Sequence, residues 1–131
     1  MSIGEGDVAA LARQAVDLLD PSVEVRIEPG APDDPYRRQV RSWAVWPLVD
    51  GHKSFGILLD SGMTGLGALA KLIDVLGEFA SETERYWGEA FPHCPGHSHP
   101  ASVAETAGSA VVLRCPVTRD IVGQLVPDVL P

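Results

Sequence analysis

With 131 residues, the chain is long enough to bury one hydrophobic core and too short for two. Hydrophobic residues make up 45% of it and charged residues 21%, a composition that excludes disorder and predicts a single folded domain. The formal net charge of -8 opposes the attraction to phosphate groups that supplies most nucleic-acid affinity.

Binding to duplex DNA or RNA is therefore expected to be negligible at physiological salt. The one local basic run, Arg37, Arg38 and Arg41, is offset by Asp33 and Asp34 and is typical of a solvated strand face. A gel-shift assay checks this expectation, and tight binding that weakens as salt is added would contradict it.

The sequence also bears on location. It has no run of about 18 apolar residues, and its N-terminus lacks the basic and apolar regions of a signal peptide. We therefore expect a cytoplasmic protein that is neither secreted nor membrane-spanning. The bias toward Ala, Gly, Val, Arg and Pro is typical of a bacterium with a GC-rich genome. In a reducing compartment, a chain with only Cys94 and Cys115 favours metal binding or thiol reactivity over a structural disulfide.

The first predicted elements are a helix and a strand. Asp7 can cap a helix over residues 8 to 19, because apolar residues recur there at helical spacing. Apolar and charged residues then alternate over residues 23 to 28, as in a half-buried strand, and Pro29 stops the pattern.

A hairpin is predicted next. Residues 36 to 49 are rich in β formers, and Asp50-Gly51 precedes a second apolar run at residues 55 to 59. Pro47 has no N–H to donate, so it should lie at an edge, a bulge or a strand end. The strands together form a three-stranded antiparallel sheet.

The longest predicted helix covers residues 66 to 87 and ends at Gly88. Its apolar residues form one wide stripe, which makes it the central helix of the core. That stripe contains Leu66, Leu69, Ala70, Leu72, Ile73, Val75, Leu76, Phe79, Ala80, Tyr86 and Trp87. The predicted fold is α+β, with this sheet packed against two helices.

The residues that carry chemistry cluster in HCPGHSH, residues 93 to 99. Cys94 and His97 have the two-residue spacer of a zinc knuckle, in which a tight turn brings two side chains to one ion. Cys115-Pro116 repeats the Cys-Pro pair after a strand-like run at residues 110 to 114. The pattern predicts a zinc-ribbon-like segment in residues 91 to 131, next to an α+β body in residues 1 to 90.

The second knuckle is incomplete, because Thr118 stands where a full pattern has Cys or His. His99 is the first choice for the fourth ligand, with His93 and Asp120 in reserve and water as a last alternative. Tetrahedral zinc accepts two thiolates and two imidazoles in any chain order. The predicted ligands are Cys94, His97, His99 and Cys115.

The segment resembles small, uncharacterised bacterial proteins that carry a Cys-Pro-x-His, a following His-Pro, and a Cys-Pro after a short strand. Here those motifs are Cys94-Pro95-Gly96-His97, His99-Pro100 and Cys115-Pro116. The resemblance covers roughly residues 91 to 120, supports His99 as a ligand, and implies no activity.

A non-catalytic, zinc-stabilised adaptor that binds another protein is the function that these features favour. No nucleophile elbow, phosphate-binding loop or zinc-protease motif is present. One alternative is a zinc-dependent hydrolase with an open metal position and Glu105 or Asp120 as base. The other is a thiol switch that expels zinc on oxidation. Because residues 91 to 131 have few large apolar side chains, they are expected to depend on zinc and the body is not.

Overall fold

A computed structural model describes residues 3–19, 23–30, 41–49, 51–53, 56–82, 103–115 and 117–127. Within these ranges the chain forms two helices and seven strands. The helices are α1 (Glu5–Leu19) and α2 (Gly65–Glu82), and the strands are β1 (Glu24–Pro29), β2 (Ser42–Val49), β3 (His52–Lys53), β4 (Ile57–Asp60), β5 (Val103–Ala107), β6 (Ala110–Arg114) and β7 (Ile121–Leu125). The predicted α+β class is confirmed.

The first sheet has four strands rather than the predicted three. β1 pairs antiparallel with β2, and both β3 and β4 pair with the other side of β2. Pro47 lies inside β2 rather than at an edge or a strand end, so of its three expected places only a break in the ladder, as at a bulge, remains. Pairing with β4 stops at Val45–Ile57 and pairing with β3 begins at Leu48–Lys53, so the residue without an N–H falls between the two ladders.

The second sheet has the order β5-β6-β7, and all its pairs are antiparallel. Both sheets use a two-residue turn with a glycine at positive φ, where a Cβ would be strained. Gly51 has φ 78° and lies between the paired residues Val49 and His52, at the turn that the sequence predicted. Gly108 has φ 63° between Ala107 and Ala110, and it closes the β5–β6 hairpin, which the sequence pattern did not predict.

Both helices have polar groups at their first turn. Asp7 was expected as the N-cap of α1, but the helix begins two residues earlier, at Glu5. The Asp7 carboxylate instead reaches back to accept the N–H of Gly4 at 2.8 Å, the reciprocal half of a capping box. At α2, the Thr64 hydroxyl accepts the N–H of Gly67 at 3.0 Å, so Thr64 is the N-cap.

The core lies between the helices and both sheets. The helices pack against each other, α1 also contacts β1 and β2, and α2 contacts β4, β5 and β6. Among the described side chains of α2, Leu69, Leu72, Ile73 and Leu76 are buried, as the apolar stripe predicted, and Ala68, which the stripe did not include, is buried as well. Residues 83 to 88, which include the predicted end of this helix, lie outside the described residues.

The C-terminal sheet contributes to this same core. Val111 and Leu113 of β6 belong to one buried cluster with residues of α1, α2 and the first sheet. The expectation that residues 91 to 131 depend on zinc because they have few large apolar side chains did not include this share of β6 in the common core. It underestimated β6 because a short strand buries its side chains only when a second layer covers it.

Candidate metal centre

The structure describes one of the four predicted ligands, Cys115. Cys94, His97 and His99 lie outside the described residues, and so does His93. Among the residues that the structure does describe, no three His, Cys, Asp or Glu side chains form a group that could hold a metal ion. The structure describes the Cys115 side of the predicted site, including its backbone and sulfur contacts.

Cys115 follows β6 directly and opens the turn that leads to β7. Its side chain is 1% exposed. The alternation along β6 places Val111 and Leu113 in the core, and Cys115 is the next residue of that series. The thiol is therefore held inside the protein rather than on the surface of the turn.

Two backbone hydrogen bonds close the turn around Cys115. Its N–H donates to the carbonyl of Asp120 at 2.8 Å, and its carbonyl accepts the N–H of Arg119 at 2.9 Å. Arg119 has φ 71°, a left-handed conformation that side chains other than glycine rarely adopt. On the exposed side of the turn, the Arg114 guanidinium donates a hydrogen bond to the Arg119 carbonyl at 2.6 Å. Cys115 is thus fixed on both its backbone groups.

The same turn directs a backbone donor at the sulfur. The N–H of Thr118 points to the Cys115 Sγ at 3.4 Å. A backbone N–H in this position stabilises negative charge on sulfur, and the thiolate is the form that binds metals. The Thr118 hydroxyl accepts the N–H of Asp120 at 3.2 Å, so this side chain supports the turn. Thr118 contributes an N–H at the place where a complete knuckle has its second ligand.

Strand register places the first residue of β5 beside the last residue of β6, next to Cys115. Val103, the first residue of β5, pairs with Arg114, the last residue of β6. Paired residues are about 5 Å apart, and four residues of chain span at most about 14 Å. His99 precedes Val103 by four residues, so the covalent chain allows its imidazole to reach the Cys115 thiol.

Two acidic residues were also candidates, Asp120 as a reserve ligand and either Asp120 or Glu105 as a base. Asp120 is exposed, and its backbone groups rather than its carboxylate take part in the described turn. Glu105 lies in β5, where its backbone pairs with Val112. His52 is exposed in β3, away from any predicted ligand in sequence.

Sequence reasoning missed the contributions of Arg114 and Arg119 to this turn. A left-handed turn position usually holds glycine or asparagine, and that signal is absent here because arginine occupies it. The Cys-Pro pair was the only readable signal for the turn.

Comparisons of the chain with protein-family models, curated proteins and solved structures found no match. No helix among the described residues is long and apolar enough to cross a membrane.

Proposed function

We propose that the chain binds one zinc ion through Cys94, His97, His99 and Cys115, and that it acts as a non-catalytic adaptor for another protein. The observation that carries the proposal is the Thr118 N–H directed at the buried Cys115 sulfur. A thiolate held by a backbone donor in a tight turn matches one half of a zinc knuckle.

The preference for zinc follows from the donor set. Thiolates and imidazoles in tetrahedral arrangement select zinc over hard cations such as magnesium and calcium, which prefer oxygen. The ion would link residues 93 to 99 to the end of β6, and so fasten the chain between α2 and β5 to the second sheet. A site saturated by four protein ligands has no position for a reacting water, which is why the proposed function is structural.

Purified protein should contain about one zinc per chain. Cys115→Ser removes a thiolate ligand, so its zinc content should fall well below that of the wild type. Val117→Ser is the matched control, because it introduces the same residue two positions later, where the side chain is 64% exposed. Elemental analysis of reduced protein prepared without chelator gives the result, and wild-type protein without zinc would refute the proposal.

Three further variants identify the fourth ligand. His99→Gln should lose zinc, whereas His93→Gln and Asp120→Asn should retain it. Loss of zinc in either of the last two variants instead would move the fourth position to that residue.

Two measurements separate the adaptor from the alternatives. X-ray absorption spectroscopy should find four protein ligands, and a bound water in place of one of them would favour the hydrolase. Zinc should stay bound under mild peroxide treatment, and its release would favour the thiol switch. A pull-down from the source organism should then recover the protein partner.

A further inference from the structure

The outer face of the four-stranded sheet, the side that points away from the helices, has an apolar centre. Alternation along β2 puts Trp43 and Val45 in the core, so Ala44 and Trp46 point to the outer face. Leu58 of β4 pairs with Ala44 and therefore shares this face. Its side chain is 51% exposed, although it lies in the middle of a strand.

Trp46 is held in place on this face. A Cβ on Gly56 would come within 3.0 Å of the indole ring, so the ring lies close against the backbone just before β4, where Gly56 has no side chain. The Lys53 ammonium lies 5.0 Å from the ring centroid and also forms an ion pair with Glu28. An aromatic side chain fixed in this way loses little entropy when a second surface docks on it.

The charges around this apolar centre balance. In the part of the chain that the structure describes, we assign three acidic and three basic residues to the outer face or its border; they are Glu24, Glu28 and Asp60, and Arg26, Lys53 and Lys71. Lys71 is at the border because its ammonium donates to the Leu58 carbonyl at 2.6 Å. The rest of the chain therefore carries the whole formal charge of -8. With balanced charges among its described residues, this face adds little to the repulsion between two identical chains.

We propose that two copies of the chain associate through the outer face of this sheet, around a two-fold axis that runs along β2. Such an axis places β1 of one copy over β3 and β4 of the other. The β1 side carries Glu24, Arg26 and Glu28, with net charge -1. The opposite side carries Lys53, Asp60 and Lys71, with net charge +1. The two-fold arrangement thus brings opposite charges together at both borders.

A second copy is favoured over other occupants by charge and shape. A strongly basic partner gains more from the acidic remainder of the chain than from a neutral face. Two sheets of the same twist pack face to face at about 10 Å with their strands nearly aligned. The face is only three strands wide, so the association is weak and depends on concentration. None of the residues from which this face is argued is a proposed zinc ligand, so the proposal stands or falls independently of the zinc site.

Sedimentation equilibrium between about 1 µM and about 1 mM, a range that covers weak interfaces, tests the proposal. The wild type should change from monomer to dimer within this range. Leu58→Glu should remain monomeric, because it puts a negative charge in the apolar centre opposite the β1 side of the other copy. Val126→Glu is the matched control, since it adds the same charge at a side chain that is 55% exposed beside the other sheet. It should dimerise like the wild type.

Three results would overturn the proposal: a wild type that is monomeric throughout, a Leu58→Glu variant that still dimerises, or equal loss of dimer in both variants. The last result would assign the effect to net charge rather than to this face. Circular dichroism checks that each variant is folded. If Leu58→Glu is not folded, Leu58→Ser removes the apolar contact without adding a charge, and it is judged by the same outcomes.

Discussion

Chelation of zinc should weaken hydrogen-exchange protection in β6 and α2 as well as in the rest of residues 91 to 131. Cys115 directly follows β6, and Val111 and Leu113 of that strand belong to the buried cluster that contains α2. Structural zinc contributes on the order of 10 kcal/mol in small metal-dependent domains, which is comparable with the whole stability of a domain. Loss of the ion should therefore reach the core instead of stopping at the C-terminal segment.

Hydrogen exchange with and without chelator measures this effect. With chelator present, the wild-type protein should show the same exchange protection as zinc-free Cys115→Ser. Without chelator, Val117→Ser should show the same protection as the wild type. The comparison of wild-type protein with and without chelator measures the effect of losing zinc alone, because no serine hydroxyl is buried in either sample. Loss confined to residues 91 to 131 would show that the two sheets unfold separately, and unchanged protection would show that zinc has no structural role.

Leu72→Ala should lower the free energy of unfolding by about 2–5 kcal/mol. Leu72 is 0% exposed in α2, and it belongs to the cluster that joins both helices to both sheets. The substitution removes buried apolar atoms and leaves a cavity that a close-packed core fills only in part. Because a small domain is stabilised by roughly 5–15 kcal/mol in total, this single change should be plain in any unfolding curve.

Urea denaturation provides the measurement, and Leu18→Ala provides the control. Leu18 is also a helical leucine, but its side chain is 38% exposed on α1, so its replacement should cost about 1 kcal/mol or less. An unchanged slope of free energy against urea would show that both variants unfold by the same transition. Equal losses in the two variants would contradict the position of Leu72 at the centre of the core.

Local patterns in the sequence were sufficient for the elements whose periodicity is strong. The apolar spacing of residues 66 to 87 predicted α2 together with its buried face, and the alternation after residue 22 predicted β1. Asp50-Gly51 predicted a turn because few residues other than glycine adopt positive φ, and Gly51 has φ 78°. In each case the signal comes from a few neighbouring residues and needs no knowledge of what they pack against.

The candidate site was only partly readable in the same way. The Cys-Pro pair indicated Cys115 as a ligand, but nothing local indicated that Arg119 would adopt a left-handed conformation or that Thr118 would direct its N–H at the sulfur. These features depend on the path that the chain must take from β6 into β7. The proposed partners Cys94, His97 and His99 remain a prediction from their spacing.

The sequence by itself determined the two helices, the β1 strand and the Gly51 hairpin, because their periodicity and turn chemistry are local. Only the tertiary structure decided that Pro47 lies within a central strand, that β6 joins the common core, and that Leu58 remains exposed in mid-strand. Whether a strand is central or buried depends on which surfaces meet, and residues distant in sequence determine that. A short apolar strand has the same pattern whether a helix layer, solvent or a second chain covers it.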